Sequence, residues 1–396
     1  MENLISTHEL ETWADYLLNY SLEGISPEDV VMIKGEHICW PLISVLQNKI
    51  FEAGALADVF LVPPDNDRGK VWGASIARYG TVKQIERVPE WMIERYNTMT
   101  KYIEILGAED PTLFDNLPDE NSKALMKADD LLKSIRLGKP WVLTLFPTKG
   151  FADLEGMTLE DYSRVIVSAS TVDPRYLEEV EDDIYKLMNE SKTIRIVTQN
   201  PIDDSVYELK MSIEGRNVVK CTGLRNFPDG EVFTSPDANT VEGEIFVDLP
   251  VFQGGTTIQG IYLKFEDGKI VDYSARQGFE ALKKVIETDK GSHRLGEVAL
   301  GMNEGIKTVL KHPLFVEKVG GTLHIAIGAS YPECFTAEPS SIDGKKETDE
   351  FLAQGIMNNS AQHVDIVTDF RPGGSGREVF LDDKKIEVKD NIWIVP

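Results

Sequence analysis

The sequence is poor in cysteine and in positive charge, and it has no long hydrophobic run. Its three cysteines, Cys39, Cys221 and Cys334, lie far apart. They form neither a disulfide framework nor a CxxC metal motif, so reduced, structural thiols are expected. No stretch approaches the roughly 18 apolar residues of a membrane span. The opening MENLISTHEL has neither the basic nor the apolar segment of a secretory leader, which predicts a cytoplasmic chain without a membrane partner. Lysine and arginine number 41 against 66 aspartates and glutamates, for a net charge of −25. So acidic a surface repels the phosphates of nucleic acid and anionic lipid, and it suits amines or divalent metals. Neither GxGxxG nor a GxxxxGKS/T loop follows any apolar run, which removes the usual nucleotide sites.

What is present divides into two textures. In the first half, short apolar runs alternate with amphipathic stretches. DVVMIKG (29–35), DVFLVPP (58–64), WVLTLFP (141–147) and TIRIVTQN (193–200) read as buried strands. Between them, 41–55, 119–135 and 173–191 carry helical periodicity. Strands alternating with helices predict a mainly parallel sheet covered on both faces. After about residue 204 the pattern becomes hairpin-like, with glycine turns such as EDGK and one helix at 279–287. The expected organisation is an α/β domain over 1–204 and an α+β domain with largely antiparallel strands over 205–396.

The second domain holds the residues with chemistry. In AQHVDIVTDF (361–370), His363 and Asp365 stand two apart in a β-branched run, so they share one face of a strand. GGTLHIAIGASY (320–331) is a second such run, with His324 facing opposite to Leu323, Ile325 and Ile327, and Tyr331 at its end. Glu231 follows the PDG turn at the start of EVFTSP, and Glu297 follows a glycine before an apolar run. Glu317 lies in LFVEKVGG. Glutamate is rarely buried unless it is paired or bound to metal. Carboxylates plus imidazoles without thiolate suit zinc, cobalt or manganese. Their number exceeds what one three-ligand metal needs, and fits a pair of bridged cations about 3.5–4 Å apart.

Four stretches, taken in order, carry a resemblance: GLRNFPDGEVFTSPDANTVEGEI, GSHRLGEVALGMNEGI, LFVEKVGGTLHIAIGASYPE and NNSAQHVDIVTDF. Together they resemble the thermophilic-type metallo-aminopeptidases, the aminopeptidase T and aminopeptidase S family. The resemblance implies metal ligands at Glu231, Glu297, Glu317, His324, His363 and Asp365, with Glu297 also catalytic, bridging the cations or orienting the water. It places Tyr331 beside the reacting carbonyl as an oxyanion donor. Two divalent ions per chain (zinc, cobalt, manganese or magnesium), short peptide substrates with a free N-terminus, and a homodimer are implied as well. Val364 stands where the family commonly has tryptophan, and 334–355 does not align. A rival reading takes His324, His363 and Asp365 alone as the iron(II) triad of a ring-opening dioxygenase. Such a triad has no need of Glu231 or Glu297.

Overall fold

The computed structural model describes residues 4–64, 72–114, 117–253, 255–371 and 376–396. Met1–Asn3 of the opening stretch read above lie outside the described residues. Contacts divide the chain into two units, 1–174 with 223–228, and 175–222 with 229–396. The expected boundary near 204 therefore falls inside the second unit. The cause is pairing: Thr193–Gln199 and Val206–Ser212, on either side of it, run antiparallel along their full length.

The first unit carries a parallel sheet ordered Leu56–Val62, Val30–Glu36, Lys101–Leu106, Trp141–Leu145, Asn226–Phe227. Val31, Met32 and Ile33 are fully buried, as a strand covered on both faces requires. The expected helices form at Trp40–Glu52 and Asp119–Leu137. Pro41 sits in the first turn of the former, where its missing N–H costs nothing. Asp119 and Glu120 place negative charge at the start of the latter. An earlier helix, Thr7–Tyr16, opens with a reciprocal cap between Ser6 and Glu9.

The second unit holds two antiparallel sheets. The larger is ordered Val251–Gln253, Thr256–Glu266, Glu242–Val247, Val206–Ser212, Thr193–Gln199, Glu378–Leu381, Lys384–Lys389, Ile392–Ile394, and Lys269–Gln277 also pairs with Thr256–Glu266. The EDGK turn joins those last two strands, with Asp267 and Gly268 both at positive φ, as a tight hairpin demands. TIRIVTQN, expected in the parallel sheet, is a strand of this antiparallel one. Val206–Ser212 and Val219–Cys221, consecutive in the chain, enter different sheets.

The smaller sheet runs His363–Asp369, Thr322–Gly328, Leu295–Gly301, Glu231–Thr234, Val219–Cys221. One of its faces supplies Val232, Val298, Leu300, Leu323, Ile325, Ile327, Val364 and Ile366 to a core shared with Ile196, Leu209 and Ile245 of the larger sheet. Ile325, fully buried on the central part of that face, anchors the strand that carries His324. Ile325→Ala is expected to cost about 2–5 kcal/mol, the range for emptying a packed core site. Urea unfolding checks this; a loss under 1 kcal/mol (on the order of a tolerated core swap) would contradict the packing described.

Candidate metal centre

The register of the smaller sheet explains why residues remote in sequence meet. Gly328 pairs with His363, Ala326 with Asp365, and His324 with Val367. Across the next ladder Glu297 pairs with Ala326 and Ala299 with His324. Beyond it, Gly301 pairs with Glu231 and Ala299 with Phe233. Since side chains alternate, Glu231, Glu297, His324, His363 and Asp365 emerge on one face, opposite the core residues. Ala299 and Ala326 put little bulk on that face, whereas at Gly301 and Gly328 a Cβ would run into the Val319 and Gln362 carbonyls. A ladder irregularity between Leu295 and Glu297 sets the phase that aims Glu297 at the histidines.

Glu297 is the centre of the arrangement and is buried, 3% exposed. Its Oε1 lies 3.1 Å from His324 Nε2, and its Oε2 lies 3.4 Å from His363 Nε2. Glu231 Oε2 approaches His324 Nε2 at 3.6 Å. Asp365 Oδ1 lies 3.4 Å from His363 Nε2. Donor atoms of Glu231, Glu297 and His324 fall within 4.8 Å of one another, and so do those of Glu297, His363 and Asp365. Glu297 belongs to both sets.

Two details fit this pair of sets to cations. Buried Glu231 Oε2 has no hydrogen-bond partner among the described residues, a costly state that a ligated cation removes. His363 Nδ1 stands 2.8 Å from the Ala329 carbonyl. As an N–H it donates there, which leaves Nε2 as the ring nitrogen that faces Glu297 and Asp365 and that could ligate once its proton is lost.

The electrostatics agree. Burial alone would lower His324, but the Glu297 hydrogen bond and the nearby carboxylates raise it to about 9. Burial likewise opposes the charge on His363, and Asp365 and Glu297 overcome it, raising the ring to about 11. Burial works against ionised Asp365 and Glu297 too, yet the histidine hydrogen bonds hold both carboxylates below their ordinary range. In the metal-free protein the imidazoliums therefore neutralise the carboxylates. Raised histidine values stabilise that form fully below pH ~6.5, and the contribution fades as pH climbs through 9 and then 11. A metal must displace those protons, so zinc affinity should rise with pH, with about two protons released per chain at pH 8. Calorimetry in buffers of differing ionisation enthalpy checks this; zero release would contradict it.

Glu317, the remaining candidate ligand, follows the short helix Pro313–Val316. Burial drives its carboxyl up to about 8, against the pull of Lys318. The sequence reading missed Lys318. This ammonium is buried, 1% exposed, and bonds Glu231 Oε1 and Glu317 Oε2, each at 2.9 Å. Asp229, two residues before Glu231, was missed too; its Oδ1 lies 3.9 Å from Lys318 Nζ. A third donor set, Cys221 with Asp229 and Glu231, surrounds the same corner. Only the positions of Lys318 and Asp229 next to Glu317 and Glu231 in the chain could have signalled them.

Tyr331 was expected to close the His324 strand. That strand ends at Gly328, and Tyr331 instead precedes the turn Pro332–Cys334. Its ring rests on His363 with centroids 4.7 Å apart and on Phe233 at 5.6 Å. Although the residue is 41% exposed, partial desolvation of its phenol and the carboxylates of Glu297, Asp365, Glu317 and Glu231 push it above the ordinary range, so it stays a proton-bearing donor. The unaligned segment 334–355 forms the helix Ile342–Ala353. Cys334, Phe335, Phe351 and Leu352 pack with Phe233 and Ala299, covering the part of the site face beside Tyr331. A cavity of about 120 Å³ borders Glu317, His363 and Asp365, with Val251, Phe252, Pro313, Val316 and Val367 among its walls.

Known proteins resemble this chain in sequence and in fold. The family described as thermophilic metalloprotease (M29) matches residues 6–372. Aminopeptidase AmpS of Bacillus subtilis is 37% identical over 148 residues, 36% of this chain and 34% of the relative. Aminopeptidase T of Thermus aquaticus is 38% identical over 144 residues, 35% and 33% of the two chains. These alignments span about a third of the curated relatives' length. Wild-type AmpT from Thermus thermophilus shares the fold, with TM-score 0.76 and 22% identity over 98% of this chain and 99% of that one. The 2,5-dihydroxypyridine dioxygenase of Pseudomonas putida KT2440 is a more distant likeness of fold, with TM-score 0.55 and 11% identity over 99% of both chains.

Proposed function

Because the chain belongs to the thermophilic metalloprotease family, M29, we propose that it is an aminopeptidase that removes the first residue of short peptides. Glu231, Glu297, Glu317, His324, His363 and Asp365 would hold two divalent cations. Such a pair supplies Lewis acidity at the scissile carbonyl and a nucleophilic water at neutral pH. Zinc, cobalt, manganese and magnesium all accept this donor set.

The remaining work falls to the protein. Glu297, kept ionised by both histidines, takes the proton of the attacking water and returns it to the leaving amine. Tyr331, kept protonated, donates a hydrogen bond to the developing oxyanion. The valine, proline and phenylalanine walls of the cavity suit an apolar first side chain. A homodimer working in the cytoplasm completes the proposal. In keeping with it, no helix among the described residues is long and apolar enough to cross a membrane.

The observation that carries this reading is the sharing of Glu297 between two donor sets, one oxygen facing each histidine. A single-iron site would draw His324, His363 and Asp365 together without it. Here His324 groups with Glu231 and Glu297, and the other two group with Glu297. Metal-free protein supplied with zinc or cobalt should cleave leucyl-p-nitroanilide. Iron-dependent oxygen consumption without amide cleavage would overturn the proposal in favour of the dioxygenase.

A further inference from the structure

The phenol proposed as oxyanion donor stands on a loop. The strand of His324 ends at Gly328, and Ala329 and Ser330 lead to Tyr331. A loop is held by the partners of its backbone groups, and here they come from 358–362. Ala329 N–H donates to the Gln362 carbonyl at 2.7 Å, and Ser330 N–H to the Asn358 carbonyl at 2.9 Å. Asn358 N–H donates in return to Ser330 Oγ at 3.2 Å. The Asn358 side chain then spends both amide hydrogens on carbonyls. Its Nδ2 donates to Gly328, at the end of the His324 strand, and to Gly291, ahead of the Glu297 strand. Asn358 is 6% exposed, so water does not replace these bonds. Its own segment is fixed in turn, because Asp289 accepts from Ser360 Oγ at 2.9 Å and from Ala361 N–H at 2.7 Å.

The rings of His363 and Phe233 support the aromatic body of Tyr331. The backbone bonds just before it decide where its hydroxyl ends. We propose that Asn358 is a positioning residue, holding Gly328 and Ser330 so that the Tyr331 hydroxyl stays where the oxyanion develops. The Ala329 carbonyl, which receives His363 Nδ1–H, belongs to a residue fastened separately by Gln362. Loss of the Asn358 amide therefore reaches Tyr331 before it reaches His363. This inference rests on the reading of Tyr331 as oxyanion donor.

The test uses purified full-length protein supplied with zinc and assayed on leucyl-p-nitroanilide. Asn358→Ala should lower kcat about tenfold or more, the scale of a small misplacement at the reacting centre. KM should stay within about twofold, since the Tyr331 bond strengthens only in the transition state. Added to Tyr331→Phe, Asn358→Ala should cost less than about twofold more, because the group it positions is gone. Hydrogen exchange should quicken in peptides covering 328–331 and stay unchanged over 231–234. Ser330→Ala removes the acceptor of Asn358 N–H from the other side and should give the same pattern at about threefold. It decides the matter should Asn358→Ala not fold. A merely structural asparagine would give losses that multiply with those of Tyr331→Phe, a rise in KM with kcat kept, or exchange quickened across the whole sheet. Any of these, or an unchanged kcat in both variants, would overturn the inference and leave the Tyr331 reading standing. An unchanged kcat in Tyr331→Phe itself would remove the oxyanion role and the inference with it.

Discussion

Glu297→Gln is expected to abolish turnover of leucyl-p-nitroanilide, lowering kcat on the order of 10³-fold or more, the upper range for loss of a general base. The substitution is nearly isosteric. The amide oxygen can still accept from His324 Nε2, now 3.1 Å from Oε1. What disappears is the negative charge and one of the two oxygens that serve separate donor sets. The loss therefore acts twice, on proton transfer and on the link between the sets. The change leaves the backbone of Glu297, paired with Ala326, untouched. Circular dichroism should show a native fold. A variant with near-full activity would remove Glu297 from the mechanism.

Exhaustive chelation should give the second large effect, complete loss of cleavage that is restored by zinc or cobalt. The same step should lower the melting temperature. Ligands that bind only the folded state stabilise it by about 2.7 kcal/mol at a hundredfold excess over Kd. For a domain of this size that corresponds to a fall of several degrees, on the order of 5–10 °C. The drop should be smaller at pH 6 than at pH 9. At the lower pH the imidazoliums of His324 and His363 already neutralise the cluster, and metals bind less tightly. Activity that survives chelation would contradict a metal-dependent hydrolase.

The clustered histidines and carboxylates were legible in the sequence because period-two alternation exposes a polar residue in an apolar strand. His324 among Leu323, Ile325 and Ile327, and His363 with Asp365 around Val364, stand out for that reason, and the core accepts those apolar neighbours as expected. Helices read from periodicity also form close to their expected limits at 40–52, 119–137 and 279–286. TIRIVTQN was placed in the wrong sheet because a short β-branched run does not encode its partner; pairing with 206–212 decides it. The unit boundary followed that error. Lys318 was invisible for a different reason. A lysine next to a glutamate reads as a solvated pair, and only the fold shows three carboxylates closing around it. Gly301 and Gly328 acquire meaning only once the fold shows the Val319 and Gln362 carbonyls standing where a Cβ would go.

The most direct test of the shared-carboxylate centre is a metal count per chain on active protein, measured together with amide cleavage on the same sample. The account predicts two divalent ions per chain in wild type, with cleavage proportional to the second. A single iron per chain and no cleavage of any aminoacyl substrate would contradict it.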